Sequence, residues 1–180
     1  MTESRRDLLR LMGTAACGLA VPAQAWAALR PAEIRRLRFD NLHTGETLDA
    51  VYWQSGAYQP DALGAIDKVL RDFRTGDVYP IAPMLLDLLA VLQSRVGTTR
   101  PYQVISGYRS PKTNAMLASE SHGVAQGSLH MKGMAIDIRL ADVSLANLHG
   151  AALGLALGGV GYYPQSDFVH VDIGRVRHWG

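Results

Sequence analysis

The chain has 180 residues, 48% of them hydrophobic and 19% charged, with a formal net charge of +2. That balance describes a globular protein of one domain, large enough to bury a core without disulfide staples. The charge is too mild and scattered to argue for nucleic acid as a partner, and no apolar run reaches the roughly 20 residues a helix needs to span a bilayer.

Ser4-Arg5-Arg6-Asp7-Leu8-Leu9-Arg10 is followed by an apolar stretch from Leu11 to Val21 and then by Pro22-Ala23-Gln24-Ala25-Trp26-Ala27. A charged start, an apolar middle and a small-x-small end predict a secretory signal peptide over residues 1–27, cleaved after Ala27 or, as second choice, after Ala25. Adjacent Arg5 and Arg6 resemble the twin-arginine type, with Leu8 where phenylalanine is commonest. The expected route is therefore the twin-arginine translocase, and the expected destination the periplasm. The single cysteine, Cys17, lies in this leader, so no disulfide is expected. Lipid attachment at Cys17 is the alternative, but Thr14-Ala15-Ala16-Cys17 lacks the usual aliphatic residue three places before the cysteine. Removing residues 1–27 leaves a nearly neutral domain, 28–180.

Arg36–Asn41 alternates basic and apolar residues and Thr47–Trp53 is rich in strand formers. With His43-Thr44-Gly45-Glu46 between them they predict a β-hairpin. A helix is expected after Pro60, capped by Asp61 and running through Leu63, Ile66, Val69 and Leu70 to Phe73. Pro83 opens a second helix whose leucines lie nearly all round, which predicts burial on more than one side. Tyr102–Ile105 reads as a strand and Ser106–Pro111 as a turn into a helix through Asn114, Met116 and Leu117. Gly123–Gly127 is a loop, Met134–Leu140 a strand and Ser144–Leu157 a helix weakened by Gly154. Val160–Tyr163 and Phe168–Ile173 are the last two strands. The pattern is α+β with a mainly antiparallel sheet.

Two histidines and one aspartate carry the chemistry. His130 and Asp137 stand in Ser128-x-His130-x-x-Gly133-x-Ala135-x-Asp137, and His170 in Phe168-Val169-His170-Val171-Asp172. Two imidazoles and a carboxylate are a common zinc-ligand set that leaves one position open for water. Gly133 lets the chain turn between His130 and Asp137, and alternation puts Phe168, His170 and Asp172 on one strand face. On spacing alone, the same residues also read as a satisfied core histidine and a capping aspartate.

The combined pattern, with its later histidine, resembles the zinc D,D-peptidases of the bacterial cell wall, the M15 peptidases, relatives in fold of the hedgehog signalling domain. The runs SGYRSPKTNAML, GVAQGSLHMKGMAIDI and GGVGYYPQSDFVHVDIGRVRHW are similar to the YcbK/MepK-type (DUF882) murein endopeptidase branch, over roughly residues 35–180. The resemblance implies a hedgehog/D,D-peptidase-like fold, a small, mainly antiparallel sheet carrying a zinc site and packed against helices. It implies one Zn2+ per chain, held by His130, Asp137 and His170. Asp167, three residues before His170, matches the position of the general base. Many relatives have glutamate there, and strand alternation would face Asp167 away from His170 unless the chain bends after Ser166.

Arg109 matches an arginine at the scissile carbonyl, where a fixed guanidinium and zinc together stabilise the oxyanion. Its alternative is a structural tether from the turn to an aspartate. Ser128, Asp172 and Tyr108 are supporting candidates, Asp172 as the acceptor for the outer nitrogen of a ligating histidine. Tyr162, Tyr163 and Trp179 line a substrate groove or pack the core, while His43, His122, His149 and His178 are expected at the surface. The implied activity is a periplasmic zinc metallopeptidase hydrolysing peptidoglycan stem peptides, an endopeptidase rather than a D,D-carboxypeptidase. The sequence does not choose between D,D and L,D bonds. One rival is a non-catalytic peptidoglycan- or protein-binding module on the same fold. The other is a metal-free serine hydrolase using Ser106 or Ser128, disfavoured because no Gly-x-Ser-x-Gly elbow is present.

Overall fold

The computed structural model describes residues 34–120 and 125–180. The expected leader 1–27, Cys17 and His122 lie outside the described residues. Among the described residues, eight strands, four α-helices and two short 3-10 helices follow in the order β1 (Ile34–Asn41), β2 (Thr47–Gln54), β3 (Ala57–Tyr58), α1 (Pro60–Val69), α2 (Pro83–Val96), β4 (Tyr102–Ser106), α3 (Pro111–Glu120), the first 3-10 helix (Leu129–Lys132), β5 (Ala135–Arg139), α4 (Leu145–Leu155), β6 (Gly159–Tyr163), the second 3-10 helix (Pro164–Ser166), β7 (Phe168–Asp172) and β8 (Arg177–Trp179).

All eight strands join one sheet in the order β3-β2-β1-β4-β5-β7-β6-β8. Neighbours are antiparallel except β1 beside β4 and β6 beside β8. The α+β class and the mainly antiparallel sheet are as expected, but the sheet is not small. The hairpin β1–β2, with Leu37 and Phe39 turned into the core, extends it through the parallel pairing of Phe39–Asn41 with Tyr102–Val104. Parallel partners need a long crossover, here through α1 and α2, so no local pattern announces them.

The helix boundaries also differ. Gln59, not Asp61, stands at the N-cap of α1, and Asp61 sits in the first turn, where its charge favours the helix dipole. The helix stops at Val69 rather than Phe73. The Asn41 side chain donates to the Val69 carbonyl at 2.8 Å, and the Tyr108 N–H donates to the Leu70 carbonyl at 2.7 Å, so tertiary donors take the last acceptors of the helix. In α4 the Ser144 side chain caps the N-terminus, and the helix ends at Leu155, two residues short of the expected Leu157, with Ala156 as a left-handed C-cap. Among the described residues, no helix is long and apolar enough to cross a membrane.

Strands β5 and β7 have two different faces. Ile136, Ile138, Val169 and Val171 pack into a core shared with Leu85, Leu86, Leu89 and Leu92 of α2. The opposite face carries Asp137, His170 and Asp172. The period-2 alternation of a strand thus separates core from chemistry along two adjacent segments.

Candidate metal centre

Asp137 and His170 are direct cross-strand partners in the register of β5 and β7, and Ala135 faces Asp172. Register alone therefore places a carboxylate beside an imidazole. His130 arrives from the first 3-10 helix. The Ser128 side chain accepts from the His130 N–H at 3.4 Å, and Gly133 ends the turn at φ 62°. A Cβ at Gly133 would collide with the Pro80 carbonyl oxygen, so both conformation and space require glycine there.

The three donor atoms converge. His130 Nε2 lies 3.2 Å from His170 Nδ1 and 3.3 Å from Asp137 Oδ1, and His170 Nδ1 lies 2.9 Å from Asp137 Oδ1. Tetrahedral zinc with bonds of about 2.0–2.1 Å sets its ligand atoms roughly 3.3–3.4 Å apart, so this buried triad fits that ion with small adjustments. The rear atoms are fixed as well. His130 Nδ1–H donates to the Gly107 carbonyl at 2.7 Å, and His170 Nε2–H donates to Asp172 Oδ2 at 3.0 Å. Each bond sets the tautomer that leaves the other nitrogen free to ligate.

Asp172 is wholly buried and accepts from Arg177 at 2.7 and 3.1 Å and from the N–H groups of Gly159 and Gly174 at 3.0 and 2.8 Å. Burial would raise its pKa. Hydrogen bonds from His170 and Arg177 outweigh this and hold it well below the usual carboxylate range. Asp137 behaves likewise, its burial overcome by His130 and His170. Burial pushes the His170 imidazole down, but Asp137 and Asp172 outweigh that and raise it to about 9, so a metal ion would displace the Nδ1 proton on binding.

Arg109 sits on the wall of the same cavity, its side chain 13% exposed and its closest carboxylate contact 3.8 Å away at Asp137. Its Nε is buried with no partner, and burial lowers its pKa from the ordinary guanidinium value. That is poor geometry for a tether and suits a donor that awaits an anion. Its backbone N–H donates to the His130 carbonyl at 3.3 Å, so the turn Ser106–Ser110 and the first 3-10 helix hold each other. Buried Asp72 anchors the turn further, accepting from the N–H groups of Ser110 and Arg74 at 2.8 and 2.9 Å.

Asp167 is not brought into the triad. The expected bend is present, because Asp167 closes the second 3-10 helix at φ 55°. Its side chain, 60% exposed, pairs with Arg139, which follows Asp137 by two residues on β5 and so shares its face. Tyr108 does not reach the cavity either. Its backbone is pinned to Leu70 and its ring stacks on Tyr79 at 4.9 Å.

The cavity, about 780 Å3, is walled on one side by Tyr163, Phe168 and Trp179. Trp179 Nε1–H donates to the Tyr163 hydroxyl at 2.8 Å, and its indole lies 5.2 Å from the His170 ring. Tyr162 instead stacks on His149, and His178 is exposed on β8. Among the charged and aromatic residues that line the cavity, Arg177, His43, Phe73 and Arg74 carried no functional expectation. Arg177 could have been suspected from the basic and aromatic alternation Arg175–Trp179. His43, Phe73 and Arg74 had no such signal; His43 is exposed, as expected, and also lines the cavity.

Residues 30–179 match the family model Peptidase_M15_2, described as peptidoglycan L,D-endopeptidase MepK. The chain is 43% identical over 176 residues to peptidoglycan L,D-endopeptidase MepK of Escherichia coli (strain K12), covering 98% of this chain and 97% of the relative. It is 39% identical over 178 residues to the probable peptidoglycan L,D-endopeptidase MepK of Haemophilus influenzae, covering 98% and 96%.

Proposed function

The chain belongs to the M15 peptidase family, in its MepK-type peptidoglycan endopeptidase branch, and from that premise we propose that it is a murein endopeptidase that opens peptide cross-links of peptidoglycan. The relatives' names support a bond joining an L centre to a D centre, inside a cross-link rather than at a chain end. The observation that carries the reading is the convergence of three donors, two of them imidazoles anchored from behind, beside a desolvated arginine whose Nε has no partner.

His130, Asp137 and His170 would hold one zinc ion, which supplies a Lewis acid and a water acidic enough to attack near neutral pH. Gly107 and Asp172 keep the two imidazoles in the required tautomers. Arg109 donates to the scissile carbonyl oxygen as it gains negative charge, an interaction strengthened by the dry surroundings of its guanidinium. Asp167 takes the proton of the attacking water and passes it to the amine released when the C–N bond breaks. To do so its carboxylate leaves Arg139 and swings into the cavity, a movement its exposure permits. Residues 28–180 form the mature domain on this reading, exported to the periplasm by a twin-arginine leader.

Purified protein incubated with defined cross-linked muropeptides is expected to release monomers, to stop with a chelator and to resume with zinc. His130→Ala should abolish release, and Asp167→Asn should lower kcat by about 10²- to 10⁴-fold. Unchanged turnover in Asp167→Asn would remove that residue from the mechanism while leaving the metal site intact.

A further inference from the structure

The cavity extends past the metal triad to a face built by Phe73, Arg74 and His43. The imidazole of His43 stacks on Phe73 at 3.8 Å and 10° between planes. The guanidinium carbon of Arg74 lies 4.2 Å from the Phe73 ring centroid. The Arg74 backbone is held by buried Asp72, the residue that also anchors the Arg109 turn. Arg74 is exposed, but its guanidinium lies over the Phe73 ring and its backbone is fixed.

Its charge has no counterpart. Among the described residues, no carboxylate lies within ion-pair distance of Arg74. The cavity does contain two carboxylates, but Asp137 is occupied by the two imidazoles and Asp172 by His170, Arg177 and two backbone N–H groups. Asp137 also lies 3.8 Å from Arg109, so the uncommitted charge of the cavity is the positive charge of Arg74, which repels Arg109. A stacked guanidinium offers its in-plane N–H groups in a fork that matches a carboxylate.

We propose that Arg74, stacked on Phe73 beside His43, is a substrate-binding residue that recognises a free carboxylate on the peptide, and so selects acidic over amidated cross-links. The inference rests on the peptidase reading of the same cavity. It adds a chemical requirement at a site separate from the reacting atoms.

The test pairs two synthetic cross-linked peptides, identical except that the free carboxylates next to the scissile bond are primary amides in one. Wild type is expected to favour the acid in kcat/KM by about tenfold to a hundredfold, the size of one charge-assisted contact. Arg74→Gln should bring that ratio close to one, mainly through KM, and Arg74→Lys should keep part of it. An acid-to-amide ratio left unchanged by Arg74→Gln would overturn the proposal. If wild type cuts neither peptide, the peptidase reading fails, and equilibrium binding of both peptides to wild type and Arg74→Gln still decides. Preference for the acid that disappears in the variant sustains the carboxylate site, and equal binding of acid and amide by wild type overturns it.

Discussion

At the scale of single residues, most of the site consists of groups that hold other groups. Asp172 touches no metal donor atom, yet it fixes the tautomer of His170 and is itself fixed by Arg177, Gly159 and Gly174. Replacing it by asparagine removes the negative charge and presents an amide that competes as a donor. Asp172→Asn should weaken zinc affinity by about 10- to 100-fold, measured by competition with a chromophoric chelator. Affinity equal to wild type would mean that the His170–Asp172 bond does not orient the ligand. Arg109 and Asp167 show the opposite condition. One has a buried nitrogen without a partner, and the other has a partner, Arg139, that the proposed mechanism requires it to give up.

At the scale of elements, the turn Ser106–Ser110 deserves comparison with the helix it leads into. Its Gly107 carbonyl orients His130, its Arg109 faces the cavity and its Ser110 N–H rests on Asp72. Burial raises the Asp72 pKa, but hydrogen bonds from Thr113 and Ser110 outweigh it and hold the carboxyl at about 2. An unfolded aspartate titrates near 3.9. The depressed value therefore contributes stability that is fully present above about pH 4 and is lost as pH falls towards about 2. Asp72→Asn should destabilise the protein at pH 7 by about 1–3 kcal/mol, because its amide N–H would oppose the Ser110 N–H. The loss should shrink by pH 2 to 3, read from urea midpoints at several pH values, and a pH-independent difference would contradict the linkage.

At the scale of the whole molecule, the candidate ligands come from three segments, two of them strands that share a core with α2, so a metal would tie the 3-10 helix to the centre of the sheet. An ion that binds the folded chain alone stabilises it by about 2.7 kcal/mol at a free concentration one hundred times Kd. For a domain of this size that corresponds to a Tm rise of about 5–10 °C. Thermal unfolding with and without zinc should show this in wild type and not in His130→Ala. A similar rise in that variant would place the ion elsewhere.

The ligand triad was legible before any coordinates because glycine, small residues and alternation around His130, Asp137 and His170 form a local motif. The β1–β2 hairpin was legible too, since period-2 patterning and turn residues act over a few positions. The parallel seam between β1 and β4 was not, nor the early end of α1, because both depend on partners from distant segments. Local pattern thus determined which side chains could ligate a metal and which strand faces carry them. Only tertiary structure decided that Asp137 and His170 are cross-strand partners, that Asp167 rests on Arg139, and that Arg74 faces the cavity without a carboxylate. The reason is physical: alternation and turn chemistry operate within a segment, whereas register, burial and the pairing of charges arise when segments far apart in the chain meet.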